Sequence, residues 1–298
     1  MQIRAYAYLM LTTLLWGGNA VAGKLAVGHI SPMVLNAGRW TLAFCLLLSI
    51  SIDQIKSDWP VIRRNIPLLL AFGAVGYTGF NGFLYSALKY TSAVNGAIEQ
   101  GAIPVLIFVL NFLLFRIAAS KVQILGFIIS FIGVALTAGH GDLTALLSLR
   151  LNFGDGLMML AVLCYSLFTI ALRWKPELHW KSLMASLSFG AMLATIPLVM
   201  WEEANGSLIL PDTTGVLLIL FCGLLPSLVS QTLYIKGVSI IGANRAGLFI
   251  NLVPIFGTVL SVIVVGEHLE GFHMMALALV LGGIALAEWG KPKTAIAP

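Results

Sequence analysis

Residues 87–115, ALKYTSAVNGAIEQGAIPVLIFVLNFLLF, and residues 237–267, GVSIIGANRAGLFINLVPIFGTVLSVIVVGE, carry one pattern twice. A shift of about 150 positions pairs Ala93 with Ala243, Pro104 with Pro254, Val109-Leu110 with Val259-Leu260 and, further on, Gly133 with Gly283. Each copy has an entry of small residues, a proline about ten residues on, an aliphatic run, a short break and a second aliphatic run. An internal repeat of this kind decides architecture before any single residue does.

Working outward, the chain has 298 residues, of which 59% are hydrophobic and only 10% charged, with a mean hydropathy of +0.97. A soluble domain carries about 25% charged residues, so this chain reads as a polytopic membrane protein. The net charge of +5 would suggest nucleic acid only in a soluble chain. Here Lys and Arg mark the cytoplasmic side, and no nucleic-acid partner is expected. Cys45, Cys164 and Cys222 all sit in apolar runs and imply no disulfide framework.

A spanning helix needs about 20 largely apolar residues. The sequence predicts ten, at 6–27, 33–52, 66–89, 92–115, 122–139, 154–172, 183–201, 215–238, 243–265 and 272–288. With the amino end inside, the inner segments hold Arg4; Lys56, Arg63 and Arg64; Arg116 and Lys121; Arg173, Lys175 and Lys181; Lys236 and Arg245; Lys291 and Lys293. The outer segments hold Lys24, Lys89 and Arg150. This asymmetry places both termini in the cytoplasm. Ala20-Val21-Ala22 resembles a signal-peptide cleavage site, but Trp16, Gly17, Gly18 and Asn19 interrupt the apolar run before it. The sixth span also reads as a counterpart of the first, with Tyr165 over Trp16 and Arg173 over Lys24. The expected fold is therefore an all-α membrane protein of ten transmembrane helices, built as two five-helix repeats, residues 1–140 and 141–298. Five is odd, so the second unit enters from the opposite side. Such inverted repeats mark many secondary transporters, with a site near the bilayer midplane.

Several short motifs carry a family resemblance. They are Trp16-Gly17, Pro32 with Arg39, the run Tyr85-Ser86-Ala87-Leu88-Lys89-Tyr90-Thr91-Ser92-Ala93 leading to Pro104, the run Gly242-Ala243-Asn244-Arg245-Ala246 leading to Pro254, and Gly266-Glu267-His268-Leu269. On these the chain resembles the drug/metabolite transporter superfamily, EamA type, over nearly its whole length. Phe115-Arg116-Ile117-Ala118 departs from the Gly-Glu that the family often has there. The resemblance implies export of amino acids, metabolites or drugs across a bacterial inner membrane. The aromatic inner faces resemble the YddG-type exporters of aromatic amino acids.

Polar side chains in a span usually face the bundle interior. Tyr77, Asn81 and Tyr85 recur every four residues and share one helix face. Ser227, Ser230, Gln231 and Tyr234 share another, and the same shift lays Tyr77 on Ser227 and Asn81 on Gln231. The paired stripes point to a common substrate-binding cavity; the alternative is that they bind helix to helix. Pro104 and Pro254 each lack an N–H and are expected to free the carbonyls of Gln100 and Ile250. Gln100 and Asn251 then line a pathway, or the prolines merely kink the helices. Trp16, with Asn19 close by and Tyr165 in the sixth span, offers a stacking surface for substrate or packs the core. Arg39 and Glu99 are charges within spans. They either pair or face one vestibule, and Glu99, read as the only acid well inside a span, is the candidate for proton coupling.

No phosphate-binding loop or His-Glu-x-x-His motif occurs, and His29, His140, His179, His268 and His273 are scattered over loop regions. No cofactor and no metal are expected, and a membrane enzyme is disfavoured. The reading is a secondary transporter exporting small amphipathic metabolites, amino acids including aromatic ones, by alternating access. Its partners are that small-molecule substrate and the lipid bilayer. The alternative is a flippase or exporter of lipid-linked or cationic drug-like substrates.

Overall fold

The structure, a computed structural model, describes residues 2–116, 120–138, 141–142, 152–241 and 249–290. Among these residues every regular element is a helix and none is a strand. In chain order they are α1 (Gln2–Leu25), α2 (Pro32–Arg64), α3 (Ile66–Ala87), α4 (Ala93–Glu99), α5 (Ala102–Phe115), α6 (Lys121–Ala138), α7 (Phe153–Ala171), α8 (Trp180–Ala204), α9 (Thr213–Cys222 continuing to Ser230–Ile241), α10 (Val253–Leu260) and α11 (Gly271–Trp289). Five helical runs are long and apolar enough to cross a membrane: Pro32–Arg64, Ile66–Ala87, Phe153–Trp174, Trp180–Ala204 and Thr213–Val238. Lys121–Thr137, Val253–Val265 and Gly271–Ala287 are shorter apolar helices. Leu113, Leu114, Phe131, Leu217, Ile263 and Met275 each expose more than half their surface. Apolar surface on this scale suits contact with lipid rather than water.

The break expected after residue 52 is absent, because α2 runs on to Arg64. Beyond the apolar part it becomes amphipathic, burying Ile62 against Leu69 and Phe72 while Lys56 is exposed and Asp58 accepts from the His179 N–H at 3.2 Å. Pro60 is tolerated in that polar stretch, where water can satisfy the carbonyl it strands. The expected ninth-span start at Ala243, the motif 242–246, and Arg150, Arg245, Lys291 and Lys293 lie outside the described residues.

Two of the long helices change winding in mid-course. Gly73–Gly79 in α3 and Gly223–Val229 in α9 are seven-residue stretches of π-helix, and they coincide under the repeat shift. In α9 the cause is Pro226. It has no N–H for the Cys222 carbonyl, and the Ser227 hydroxyl donates to that carbonyl instead, at 2.8 Å. In α3 the stretch is glycine-rich: a Cβ on Gly73 would strike the Leu187 carbonyl, and one on Gly76 the Phe168 ring.

Shifted pairs recur in the packing. α6 lies against α11, α2 against α8, α1 against the Ser230–Ile241 half of α9, and α7 against the Phe80–Ala87 half of α3. At the α6–α11 contact a Cβ on Gly126 would sit 2.5 Å from the Gly283 carbonyl, and one on Gly133 would sit 2.7 Å from the Ala276 carbonyl. Position 126 thus meets the shifted equivalent of 133, and 133 meets that of 126, the reciprocity of a two-fold contact. Helix ends repeat as well. Arg116 (φ 55°) and Gly266 (φ 76°) are both left-handed ends of their helices, so the sequence's departure at 115–118 keeps the turn but places a side chain where glycine is favoured. The Ser120 N–H donates to Gln123 Oε1 and the Glu270 N–H to His273 Nδ1, both at 3.0 Å.

Three acids of the connecting segments and helix ends act as helix caps. Glu202, only 4% exposed, accepts from Ser31 Oγ (2.6 Å) and the Met33 N–H (3.1 Å) at the start of α2. Glu267 accepts from the Ala93 and Val94 N–H groups, both at 2.8 Å, at the start of α4. Each carboxylate sits where the helix dipole is positive. Asp212 caps α9 through the Gly215 N–H (2.9 Å) and pairs with His29 (2.7 Å). The His29 hydrogen bond, followed by the Gly215 one, holds its carboxyl below the ordinary carboxylate range.

Candidate functional site

A cavity with about 780 Å³ of atom-free space opens between α1, α2, α3, the α4–α5 break, α7, α9 and α10. Its walls include Trp16, Asn19, Arg39, Tyr77, Asn81, Gln100, Tyr165, Gln231, Asn251 and Pro254, ten of the residues that the sequence singles out. Trp40, Phe80, Pro226 and Ile250 complete much of the rest.

Two helix interruptions form one wall. α4 stops at Glu99 and α5 starts at Ala102, leaving Gln100-Gly101 as a turn; Asn251-Leu252 is the turn before α10. The expected free carbonyl at Gln100 is not free, since the Ile103 N–H donates to it at 3.0 Å. The strand of backbone ahead of proline escapes helical geometry one turn early and closes on itself. The side chain of Pro104 lies outside the described residues, while Pro254 lines the cavity directly. Gly101 fits because a Cβ there would strike Val280.

Aromatic rings form the apolar faces. Trp40 stacks on Tyr77 with centroids 4.3 Å apart and planes 9° from parallel. Tyr165 packs on Phe80 (5.1 Å) and Phe168 (5.8 Å). Trp16 packs on Tyr234 (5.4 Å) and donates its indole N–H to the Pro226 carbonyl at 3.3 Å. Tyr234 is therefore a support behind Trp16 rather than a wall residue.

Arg39 is the electrostatic centre, 3% exposed. Its Nη1 donates to Asn19 Oδ1 (2.8 Å), Asn81 Oδ1 (2.6 Å) and the Tyr85 hydroxyl. Its Nε and Nη2 donate to Ser227 Oγ at 3.0 and 2.7 Å. Tyr85 donates onward to Asn19 Oδ1 (2.8 Å), and Asn81 Nδ2 donates to the Tyr77 carbonyl (2.9 Å). The guanidinium also lies 4.9 Å from the Trp40 ring centre. The two polar stripes thus meet at one cation. Ser230 stays on its own helix, its hydroxyl donating to the Leu225 carbonyl at 2.9 Å.

Of the two alternatives for Arg39 and Glu99, the pair does not form. Glu99 is fully buried, and no donor of any described neighbour reaches its oxygens. Its carboxyl adjoins that of Asp155. Asp155, 2% exposed in the first turn of α7, makes Glu99 one of two acids buried here. It reads from sequence as a residue at a loop edge, and Trp40 escapes notice because its periodicity matches no polar stripe. The ammonium of Lys24 caps the end of α3 through the Leu88 (3.1 Å) and Thr91 (2.8 Å) carbonyls.

Comparison with known proteins places this geometry in context. The model of the EamA-like transporter family matches twice, over residues 3–139 and 152–289. The chain is 28% identical to "Uncharacterized transporter YyaM" of Bacillus subtilis (strain 168), over 96% of this chain and 94% of that one. It is 26% identical to "Uncharacterized transporter YetK" of the same organism, over 95% and 86%. A solved crystal structure with 18% identity superposes with a TM-score of 0.64, covering 95% of this chain and 96% of the other.

Proposed function

The chain belongs to the EamA-like transporter family, and from that premise we propose a secondary transporter that exports small amphipathic metabolites, amino acids including aromatic ones, by alternating access around the Arg39 cavity. The observation that carries this reading is the cavity itself: five aromatic residues, the amides of Gln100, Gln231 and Asn251 and one buried cation around a single space. Ten spans in two inverted five-helix units, residues 1–140 and 141–298, fit the doubled family match, the shifted π-helical stretches and the reciprocal Gly126–Gly283 and Gly133–Ala276 contacts. In such a design one unit rocks against the other about a central site. The distribution of Lys and Arg supports cytoplasmic termini, and the membrane in this reading is a bacterial inner membrane. Glu99, with Asp155, is the proton-coupling site, and the turns at Gln100-Gly101 and before Pro254 are the gating breaks.

The test is counterflow in liposomes holding the purified protein and preloaded with unlabelled phenylalanine. Labelled Phe, Trp, Thr and Met are supplied outside, with and without a pH gradient. Uptake is expected, with a loss of about tenfold or more in Tyr77→Ala and in Gln231→Ala, since each removes a wall contact of order 1.4 kcal/mol. Absence of exchange for all four amino acids refutes the assignment of substrate.

A further inference from the structure

Among the described residues, no carboxylate bonds to the positive charge that Arg39 places in the cavity. All acceptors around Arg39 are neutral: two amide oxygens, a phenol and one serine hydroxyl. The His29–Asp212 ion pair lies outside the cavity, and among the described residues no Asp or Glu lines it. Glu99 turns to Asp155 instead. A guanidinium stays charged at any working pH and has five N–H groups. Nη1 spends its two on three acceptors, Nε spends its one on Ser227, and Nη2 bonds to Ser227 alone. One N–H of Nη2 has no acceptor among the described residues.

We infer that Arg39 is the recognition site for the anionic group of the substrate, and that the transported class is organic monoanions whose carboxylate sits on Arg39 and whose apolar body lies against Trp16, Tyr77 and Tyr165. The inference rests on the reading that this cavity binds the substrate. A buried cation without a partner raises the energy of the empty site, and an incoming monoanion removes that penalty. One charge matches one charge, so a doubly charged phosphate would leave an excess of negative charge in the cavity. A cation meets repulsion and finds no carboxylate. Amino acids qualify through their carboxylate, with their ammonium left to the carbonyl oxygens of Gln231 or Asn251; compounds with the same body and no ammonium lose nothing at Arg39.

The test uses the full chain, purified, with phenylacetate, phenylethanol and phenethylamine, which share one body and differ in charge. Binding is read by competition with labelled phenylacetate and by the shift in melting temperature. Phenylacetate is expected to bind about ten- to hundredfold more tightly than phenylethanol, the range for a charge-assisted hydrogen bond over a neutral one, and phenethylamine more weakly than either. Arg39→Lys keeps the order with weaker binding, and Arg39→Gln abolishes it. Equal binding of the three by the wild type, tighter binding of phenethylamine, or a preference that survives Arg39→Gln overturns the inference. The wild-type series decides the matter even where a variant does not fold. Transport in liposomes separates the two readings. An Arg39-dependent anion preference without passage of any compound keeps the anion site and ends the transporter reading. Passage without charge preference does the reverse.

Discussion

At the scale of single residues, Glu99 and Asp155 hold two carboxyls in contact within a fully buried space. Two carboxylate charges packed this closely disfavour each other. The groups packed around Glu99 bear on this. Asp155 comes from α7; His273 of α11 bonds to Asn95 Oδ1 at 3.0 Å, one turn away. Lys24 of α1 and Glu267 cap neighbouring backbone rather than Glu99 itself. Glu99→Gln keeps the shape and fixes the neutral state. It should leave amino-acid exchange intact and abolish its acceleration by a pH gradient, as read by counterflow in liposomes with and without the gradient. Acceleration that persists in Glu99→Gln assigns coupling elsewhere.

At the scale of elements, the π-helical turns aim the site. A π stretch inserts one residue into the helical count and rotates all that follows, and such turns gather at functional positions. Pro226→Ala returns the missing N–H to the Cys222 carbonyl and releases the Ser227 hydroxyl from it. The stretch should tighten to α-helix, and Ser227 should swing away from Arg39. Binding of phenylacetate should weaken by about tenfold, the value of one charge-assisted bond. Melting temperature should hold or rise, since proline inside a helix costs about 3 kcal/mol. Loss of binding together with loss of fold would mean that the turn serves packing alone. These elements also show what sequence can reveal. The four-residue spacing of Tyr77, Asn81 and Tyr85 and its shifted echo at Ser227 and Gln231 are periodic, so the cavity wall is legible. The winding of α3 is not, because glycines that permit a π turn look the same as glycines that permit close packing. Glu202 and Glu267 look like solvated loop acids for a similar reason: the helix starts they cap are distant in the chain and near only in space.

At the scale of the molecule, the joint between the two halves of the sequence runs through α6 and α11. Lipid offers little hydrophobic drive for helices to associate, so small residues that allow backbone approach do it. Gly283 stands against Gly126 and Ser130, while its neighbour Gly282 meets nothing within 4 Å. Gly283→Leu should therefore lower stability by about 1–3 kcal/mol through overpacking. Gly282→Leu should change it by less than about 0.5 kcal/mol. Thermal melting of the two variants in one detergent checks the contrast, and equal losses would show that this contact does not hold the joint. The doubled pattern was readable because helices that repeat in sequence repeat in packing. The acidic partner of Glu99 was not, because it depends on which face α7 turns toward α4.

Arg39 gathers Asn19, Asn81 and Tyr85 from the early helices and Ser227 from a late one within a single planar group. Parting the early helices from the late ones means parting Arg39 from Ser227. With nothing aboard, that break leaves the cation poorer by its bonds to that hydroxyl; with an anion seated, the lost bonds are already replaced. Under the proposed alternating access the unladen protein should idle latched, and swapping one passenger for another should outrun the empty return trip.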